Sequence, residues 1–156
     1  GKRGHGEDRV YHLLVPLKPP PGHSFELMLD SKGKRMVRNS LVCVDLKCMC
    51  TREKYLGDVL CFLHHPERQL VNCQEASLLQ TLCTGPYLDA QKTLSWFQEL
   101  MAAACVLVSQ ASPCKLLVLP SAHVCRIRMI NSSHRYLFIE LVLVLQQGNS
   151  DAFVTL

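Results

Sequence analysis

The feature of this chain that most constrains its fold is the run LFIELVLVL at residues 137–145, in which Glu140 is the only polar side chain. A run that is apolar at successive positions, on both sides of a pleated strand, is typical of a strand buried on both faces. Its length is about half of the roughly 20 residues that span a bilayer, and it carries a carboxylate. We therefore predict a central strand of a sheet.

Two shorter β-rich runs precede this strand, CKLLVLP at 114–120 and HVCRIRMI at 123–130. The pair Pro120-Ser121 separates the two runs, and the polar turn NSSH leads from the second run into the apolar one. These patterns predict three consecutive strands in the last third of the chain.

The first third of the chain also has the pattern of strands. VYHLLV at 10–15 is a strand candidate that prolines then interrupt, and SFELMLD at 24–30 is a second. A hairpin tip at Gly33 leads into a returning strand at 35–48. We predict that the chain starts as a meander of about three strands.

The middle of the chain is predicted to be helical. The run REKYLGDVLCFLHH follows Thr51, a suitable N-cap, and ends at Pro66, and shorter helical segments are predicted at 66–71 and 76–83. The strongest helical pattern covers residues 87–108. Its apolar residues recur every three or four positions, as on a helix face that packs against a sheet: Leu94, Phe97, Met101, Ala104 and Val108.

Strands, then helices, then strands again are typical of a two-layer α+β (α/β) domain with a mixed sheet backed by helices. The 156 residues, 48% of them hydrophobic, suffice for one core, so we predict a single domain over 1–156. The chain begins at Gly1 without a Met or a signal peptide. We therefore expect a fragment whose native start, with any targeting segment, lies upstream.

Charge and cysteine content narrow the classes of function. The 17 Lys and Arg exceed the 13 Asp and Glu only modestly, and aromatic residues are sparse, which argues against a dedicated nucleic-acid binder. Nucleic-acid sensing along the basic segment 32–38 stays open as an alternative. Nine cysteines, an odd number without regular spacing, make a poor disulfide framework. Several lie among apolar neighbours, which favours a reducing, cytosol-facing compartment: Cys43, Cys61, Cys83, Cys105 and Cys125.

Two acidic residues are candidates for a metal-dependent phosphoryl or nucleotidyl transfer site. Such a site needs carboxylates from neighbouring strands, because Mg²⁺ takes oxygen ligands and lies against the substrate phosphates. Asp8 at the head of the first strand and Glu140 in the most apolar run could form this pair. Alternatively, Glu140 points out of the sheet or pairs with Arg126 or Arg128, because a buried carboxylate needs a partner.

A second candidate site combines three cysteines and a histidine, Cys48, Cys50, Cys61 and His64. Two thiolates at a strand end and a Cys/His pair one helical turn apart could reach one tetrahedral zinc ion. Alternatively, Cys61 belongs to the core, and His64 and His65 lie at a helix C-terminus, where imidazolium is favoured.

A resemblance to a known family rests on stretches that cover nearly the whole chain: VYHLLVPLKPPPGHSFEL, DVLCFLHHPE, LCTGPYLDAQKTLSWFQELM, CKLLVLP and LFIELVLVLQQG. Together they resemble the Mab-21-like group of nucleotidyltransferase-fold proteins, and most closely its inositol trisphosphate receptor-interacting protein-like branch. The resemblance implies a nucleotidyltransferase-like core, incomplete at both ends in this chain. It also implies a single-pass membrane protein whose transmembrane helix precedes the domain.

The resemblance assigns roles to a few acidic positions. Active members of the wider superfamily carry two acids, one residue apart, on the first strand and a third acid on a later strand. Asp8 matches the second acid and Glu140 the third, whereas Gly6 stands at the first position. Glu7 is one position along, where a strand residue points to the opposite face.

The resemblance therefore implies a degenerate site rather than an enzyme. The Gly-Ser motif that would hold nucleotide phosphates is missing, and in-line transfer depends on such positioning. We expect a protein-binding or regulatory module without a cofactor, and the resemblance suggests the inositol trisphosphate receptor as a partner. The alternative is an active Mg²⁺-dependent enzyme that uses Asp8, Glu140 and a reoriented Glu7.

Overall fold

A computed structural model describes residues 9–28, 42–46, 74–146 and 153–156. In chain order the elements are β1 (Arg9–Leu17), β2 (His23–Leu27), β3 (Val42–Leu46), α1 (Gln74–Thr81), β4 (Cys83–Thr84), β5 (Tyr87–Leu88), α2 (Ala90–Ala111), β6 (Lys115–Leu119), β7 (Cys125–Ile130), β8 (Tyr136–Gln146) and β9 (Phe153–Thr155). This mixture of helices and strands confirms the predicted α+β class.

The described residues divide into two compact units. The first contains the residues up to 17 and from 93 onward, and the second contains those from 18 to 92. The single domain expected over 1–156 stays a prediction. Among the described residues, no helix combines the length and the hydropathy needed to cross a bilayer.

The first unit contains a mixed sheet in the spatial order β1, β8, β7, β6, with β9 beside the end of β8. β1 runs parallel to β8, and the other neighbours are antiparallel. The three consecutive strands predicted for the last third of the chain are confirmed as β6, β7 and β8. The predicted turn between β7 and β8 is confirmed too, and Asn131 Oδ1 accepts hydrogen bonds from the backbone N–H groups of Ser133 and Arg135, at 2.9 and 3.0 Å.

Helix α2 covers one face of this sheet. The core contains Leu94, Phe97 and Cys105 of the helix together with Cys125, Ile127 and Leu143 of the strands, and Met101 packs against it. The predicted helical stripe is therefore confirmed up to Met101, but Val108 is 46% exposed. Ser109 already hydrogen-bonds to Leu116 of the outer strand β6, so the last turn of the helix lies at the margin of the sheet.

The prediction that β8 is buried on both faces holds for only part of the strand. Leu143, Val144 and Leu145 are buried, whereas Tyr136 is 48% exposed and the residues between are half-buried. The buried residues Val144 and Leu145 lie in the part of β8 that pairs with β9.

The second unit contains a four-stranded antiparallel sheet in the order β2, β3, β5, β4. The pairing of β2 with β3 confirms the predicted hairpin, whereas its tip at Gly33 lies outside the described residues. The meander prediction was wrong in one respect, because β1 belongs to the other sheet. There β8 offers it a parallel partner along its whole length, from Arg9 opposite Leu137 to Leu17 opposite Leu145.

The helix predictions for the middle of the chain are confirmed where they can be compared. The segment predicted at 76–83 is α1, and the long helix begins at Ala90 rather than at residue 87 because Tyr87 and Leu88 form β5. The predicted helices at 52–65 and 66–71 lie outside the described residues.

Candidate functional site

The sheet of the first unit has one face that α2 does not cover. Cys125 and Ile127 of β7 point toward the helix. Because successive side chains along a strand point to opposite faces, Arg126 and Arg128 of the same strand point away from it. We call this surface the open face. It is defined by the side chains of Val10, His12, Leu14, Leu117, Arg126, Arg128, Tyr136, Phe138 and Glu140.

Glu140 lies at the centre of the open face, between two basic side chains. The strand register places His12 of β1 opposite it on one side and Arg126 of β7 on the other. His12 Nε2 lies 3.0 Å from Glu140 Oε1, and Arg126 Nη1 lies 3.6 Å from Glu140 Oε2. The Glu140 side chain is 20% exposed. The proposed pairing of Glu140 with an arginine of the preceding strand is therefore confirmed for Arg126.

The two arginines of the open face lie over aromatic rings. The guanidinium carbon of Arg126 is 4.9 Å from the centre of the Phe138 ring, and that of Arg128 is 5.8 Å from the centre of the Tyr136 ring. A cation over a ring face is attracted by the electrons of the ring. The Nε atoms of both arginines are buried and have no hydrogen-bond partner in the described part of the chain.

The predicted pair of Asp8 and Glu140 can be compared with the structure at one position only. Asp8 lies outside the described residues, as do Gly6 and Glu7, and the β1 residue opposite Glu140 is His12. Sequence reasoning missed His12 as a partner. The available signal was a polar side chain, His12, between the apolar residues Val10 and Leu14. To predict Glu140 as its partner, one would have needed to know that β1 pairs with β8.

The predicted zinc ligands Cys48, Cys50, Cys61 and His64 all lie outside the described residues. Within the described ranges, no group of three or more His, Cys, Asp or Glu side chains is placed to hold a metal ion.

The five cysteines within the described ranges are free thiols, and two of them belong to the core. Burial raises the pKa of Cys125 to about 11, and the neighbouring Cys105 adds to the effect. Burial likewise raises the pKa values of Cys43, Cys83 and Cys105. These four thiols are therefore protonated at neutral pH and are poor nucleophiles, as expected for cysteines that act as small hydrophobic residues.

The second unit contains a separate pocket of about 360 Å³. It is lined by His23, Val44, Leu46, Leu79, Gln80, Cys83, Gly85 and Pro86. His23 Nδ1 lies 3.0 Å from the carbonyl oxygen of Pro21, which can only accept, so Nδ1 carries the proton. The pocket thus combines an oriented imidazole with a largely aliphatic wall.

Comparison with known proteins identifies relatives over most of the chain. No family model matches it. The chain is 38% identical over 148 residues to inositol 1,4,5-trisphosphate receptor-interacting protein-like 1 of Rattus norvegicus, and 39% identical over 148 residues to that of Mus musculus. It is 28% identical over 103 residues, 60% of this chain, to the inositol 1,4,5-trisphosphate receptor-interacting protein of Homo sapiens, of which the match covers 19%.

The matches to the rat and mouse proteins cover 92% of this chain but 26% of each relative. The chain therefore spans about a quarter of the length of these relatives. Because the identity extends over nearly all of its residues, the chain belongs to the inositol 1,4,5-trisphosphate receptor-interacting protein-like family.

Proposed function

We propose that this chain is a non-catalytic, protein-binding part of a protein that acts on the inositol 1,4,5-trisphosphate receptor. The name of the human relative states an interaction with that receptor, and the rat and mouse relatives are named as similar to it. Family membership supports the same partner for the protein that contains this chain. The proposal includes a nucleotidyltransferase-like core that faces the cytosol and a membrane anchor outside these residues.

The observation that carries the non-catalytic part is the pairing of Glu140. One carboxylate oxygen faces His12 and the other faces Arg126, at 3.0 and 3.6 Å. A Mg²⁺ ion would have to displace these partners and would be repelled by the guanidinium group. The sequence supports the same conclusion, because Gly6 stands where active superfamily members carry their first acid.

Calorimetry with metal and nucleotide tests the non-catalytic part. Mg²⁺ or Mn²⁺ together with ATP or GTP is titrated into the full-length protein, its Asp8→Ala variant and its Glu140→Ala variant. We expect no heat of binding for any of the three. Binding by the unmodified protein that disappears in both variants would contradict the proposal and restore the metal-dependent enzyme as the better hypothesis.

A direct binding measurement tests the partner. Purified inositol 1,4,5-trisphosphate receptor in detergent is immobilised, and the full-length protein is passed over it, with the same protein lacking residues 9–146 as the control. We expect binding that depends on these residues. Equal binding by both proteins would place the receptor-binding surface outside this chain.

A further inference from the structure

The open face carries more positive than negative charge. Arg126 and Arg128 contribute two cations, whereas Glu140 contributes one carboxylate, and His12 adds a further cation when it is protonated. Lys115 of β6 lies on the same face as Leu117, but its Nζ donates to the carbonyl oxygen of Ser109 at the end of α2, at 2.9 Å. Arg126 already contacts Glu140. The uncompensated charge therefore lies at Arg128, which has no acidic partner among the residues that the structure describes.

The surroundings of Arg128 hold its guanidinium group in a defined orientation. The group lies over the Tyr136 ring at 5.8 Å, and its Nε is buried. The ring contact and the buried Nε restrict the movement of the guanidinium, and its terminal N–H groups are the remaining donors for a ligand. A planar, oriented guanidinium binds a carboxylate through two parallel hydrogen bonds, which a lysine cannot reproduce.

Apolar side chains lie on both sides of Arg128 along one row across the sheet. Leu117 of β6 is directly opposite Arg128, Phe138 of β8 is opposite it on the other side, and Val10 of β1 follows. Leu117 is 51% exposed and Val10 is 42% exposed. With neighbouring strands about 4.8 Å apart, this row spans roughly 14 Å, a length that a short peptide segment covers.

This combination favours a protein ligand over other anions. A nucleic-acid backbone would supply anionic groups for Arg128 but would leave Leu117 and Val10 against polar groups. A peptide segment that contains both acidic and apolar side chains complements the charge and the apolar residues together.

We propose that the open face binds an acidic segment of a protein partner, with a carboxylate of the segment on Arg128 and apolar side chains on Leu117 and Val10. This inference rests on the proposed protein-binding function and adds the chemistry of the partner. The proposed non-catalytic function rests on the ion pairs of Glu140, whereas this inference rests on Arg128, Leu117 and Val10. An experiment can therefore contradict one proposal and leave the other standing.

Fluorescence anisotropy with a labelled synthetic peptide in which glutamate alternates with leucine tests the inference on the full-length protein. We expect saturable binding that weakens about tenfold or more in Arg128→Gln, because a charge-assisted pair of hydrogen bonds is lost. Arg128→Lys keeps the charge without the planar fork and is expected to show an intermediate loss. It also provides the test if the glutamine variant does not fold.

The matched control is Arg9→Gln, which removes the same charge from an exposed position of β1 whose register partner is Leu137 rather than a residue of the open face. We expect this variant to bind within about twofold of the unmodified protein, since only screened long-range charge is changed. A peptide with lysine in place of glutamate is expected not to bind.

Three results of the experiments with peptides and vesicles would overturn the inference. The first is that the glutamate peptide does not bind, and the second is that Arg128→Gln and Arg9→Gln lose the same affinity for this peptide. The third is that the protein binds phosphatidylserine vesicles more tightly than the peptide and in a manner that depends on Arg128. Receptor binding that persists in Arg128→Gln would also overturn it and leave the proposed function standing. Metal-nucleotide binding in the calorimetric experiment would overturn the proposed function whatever the peptide does.

Discussion

At the residue scale, Cys125 shows how burial changes the chemistry of a side chain. It is 0% exposed, and its pKa is raised from 9.0 to about 11. In the unfolded chain the thiol ionises near its ordinary pKa, whereas in the folded protein it stays protonated. The unfolded state therefore binds fewer protons between these two pH values, and the free energy of unfolding must fall as pH rises through that window.

We expect this single thiol to contribute a loss of about 2 kcal/mol in the free energy of unfolding between pH 9 and pH 11. Urea denaturation at a series of pH values measures the loss, and Cys125→Ala should remove that part of the slope. The control is Cys114→Ala, at a partly exposed thiol outside the core. If the pH dependence were the same in both variants, burial of Cys125 would not be its cause.

Glu140 leads to a second prediction at this scale. Its ion pairs are partly exposed, with Arg126 at 39% and His12 at 62% exposure, so solvent screens them. We expect Glu140→Gln to change the free energy of unfolding by no more than about 1 kcal/mol and to leave receptor binding intact. Thermal denaturation and the receptor-binding assay measure the two effects. A loss of several kcal/mol would mean that the carboxylate is a structural anchor of the sheet.

At the element scale, the start of α2 depends on Asp89. Its Oδ1 accepts a hydrogen bond from the backbone N–H of Lys92 at 2.9 Å, and its Oδ2 accepts one from the Thr84 hydroxyl at 2.9 Å. These bonds lower the pKa of the Asp89 carboxyl, with the Lys92 N–H as the largest cause. The stabilisation is present above the ordinary pKa of aspartate and is lost as pH falls through the lowered value.

We expect Asp89→Ala to cost about 1 kcal/mol of stability at neutral pH, the usual cost of losing an N-cap. Asp89→Asn, which keeps an acceptor for the Lys92 N–H, should cost less. Chemical denaturation compares each variant with the unmodified protein at pH 7 and at acidic pH. The cost of each substitution should shrink as pH falls through the lowered pKa of Asp89, because the carboxylate of the unmodified protein then becomes protonated. If a substitution cost the same free energy of unfolding at both pH values, the negative charge of Asp89 would not contribute to capping α2.

Gln98 connects α2 to the segment between β6 and β7. Its side-chain amide nitrogen donates to the carbonyl oxygens of Ser121 and Val124, at 2.9 and 3.0 Å. Gln98→Leu would leave both carbonyls without this donor, so we expect a loss of about 1–3 kcal/mol. The same substitution at the exposed Gln110 of the helix is the control and should stay within about 0.5 kcal/mol. Equal losses in urea denaturation would contradict a specific role for Gln98.

Local patterns predicted most of the elements, and the misses have physical causes. The spacing of Leu94, Phe97 and Met101 located the long helix, but its start was placed three residues early because Tyr87 and Leu88 have no helix-breaking side chain. Asp89, the actual cap, was the available signal. The two-residue strands β4 and β5 are too short to produce a periodic pattern.

At the scale of the whole molecule, β1 is an edge strand of unusual exposure. Val10, Tyr11, Leu13 and Leu14 are 42–59% exposed, and no described strand pairs with the outer edge of β1. Open apolar edges promote association. We expect the 156-residue chain to associate with rising concentration in sedimentation velocity, and Leu13→Lys to weaken this association. Val106→Lys, on the exposed side of α2, is the control, and an equal effect there would contradict the edge as the cause.

Tertiary pairing explains which parts of the candidate site the sequence could indicate. Arg126 was a foreseeable partner of Glu140 because a short turn joins β7 to β8, and this connection constrains the register that sets Arg126 opposite Glu140. His12 was not foreseeable, because β1 and β8 are far apart in sequence and nothing local states that they pair. The mixed sheet was predicted as a class, whereas its strand order was not.

The parallel pairing of β1 with β8 also has a consequence for biosynthesis. A ribosome releases β1 about 130 residues before its partner strand is complete, which at ordinary elongation rates corresponds to roughly 6–26 s. During that interval the apolar residues of β1 lack the parallel strand that pairs with them in the folded sheet. Slower translation of the downstream codons would lengthen this exposure, so synthesis speed, rather than the stability of the finished sheet, would then limit the yield of folded protein.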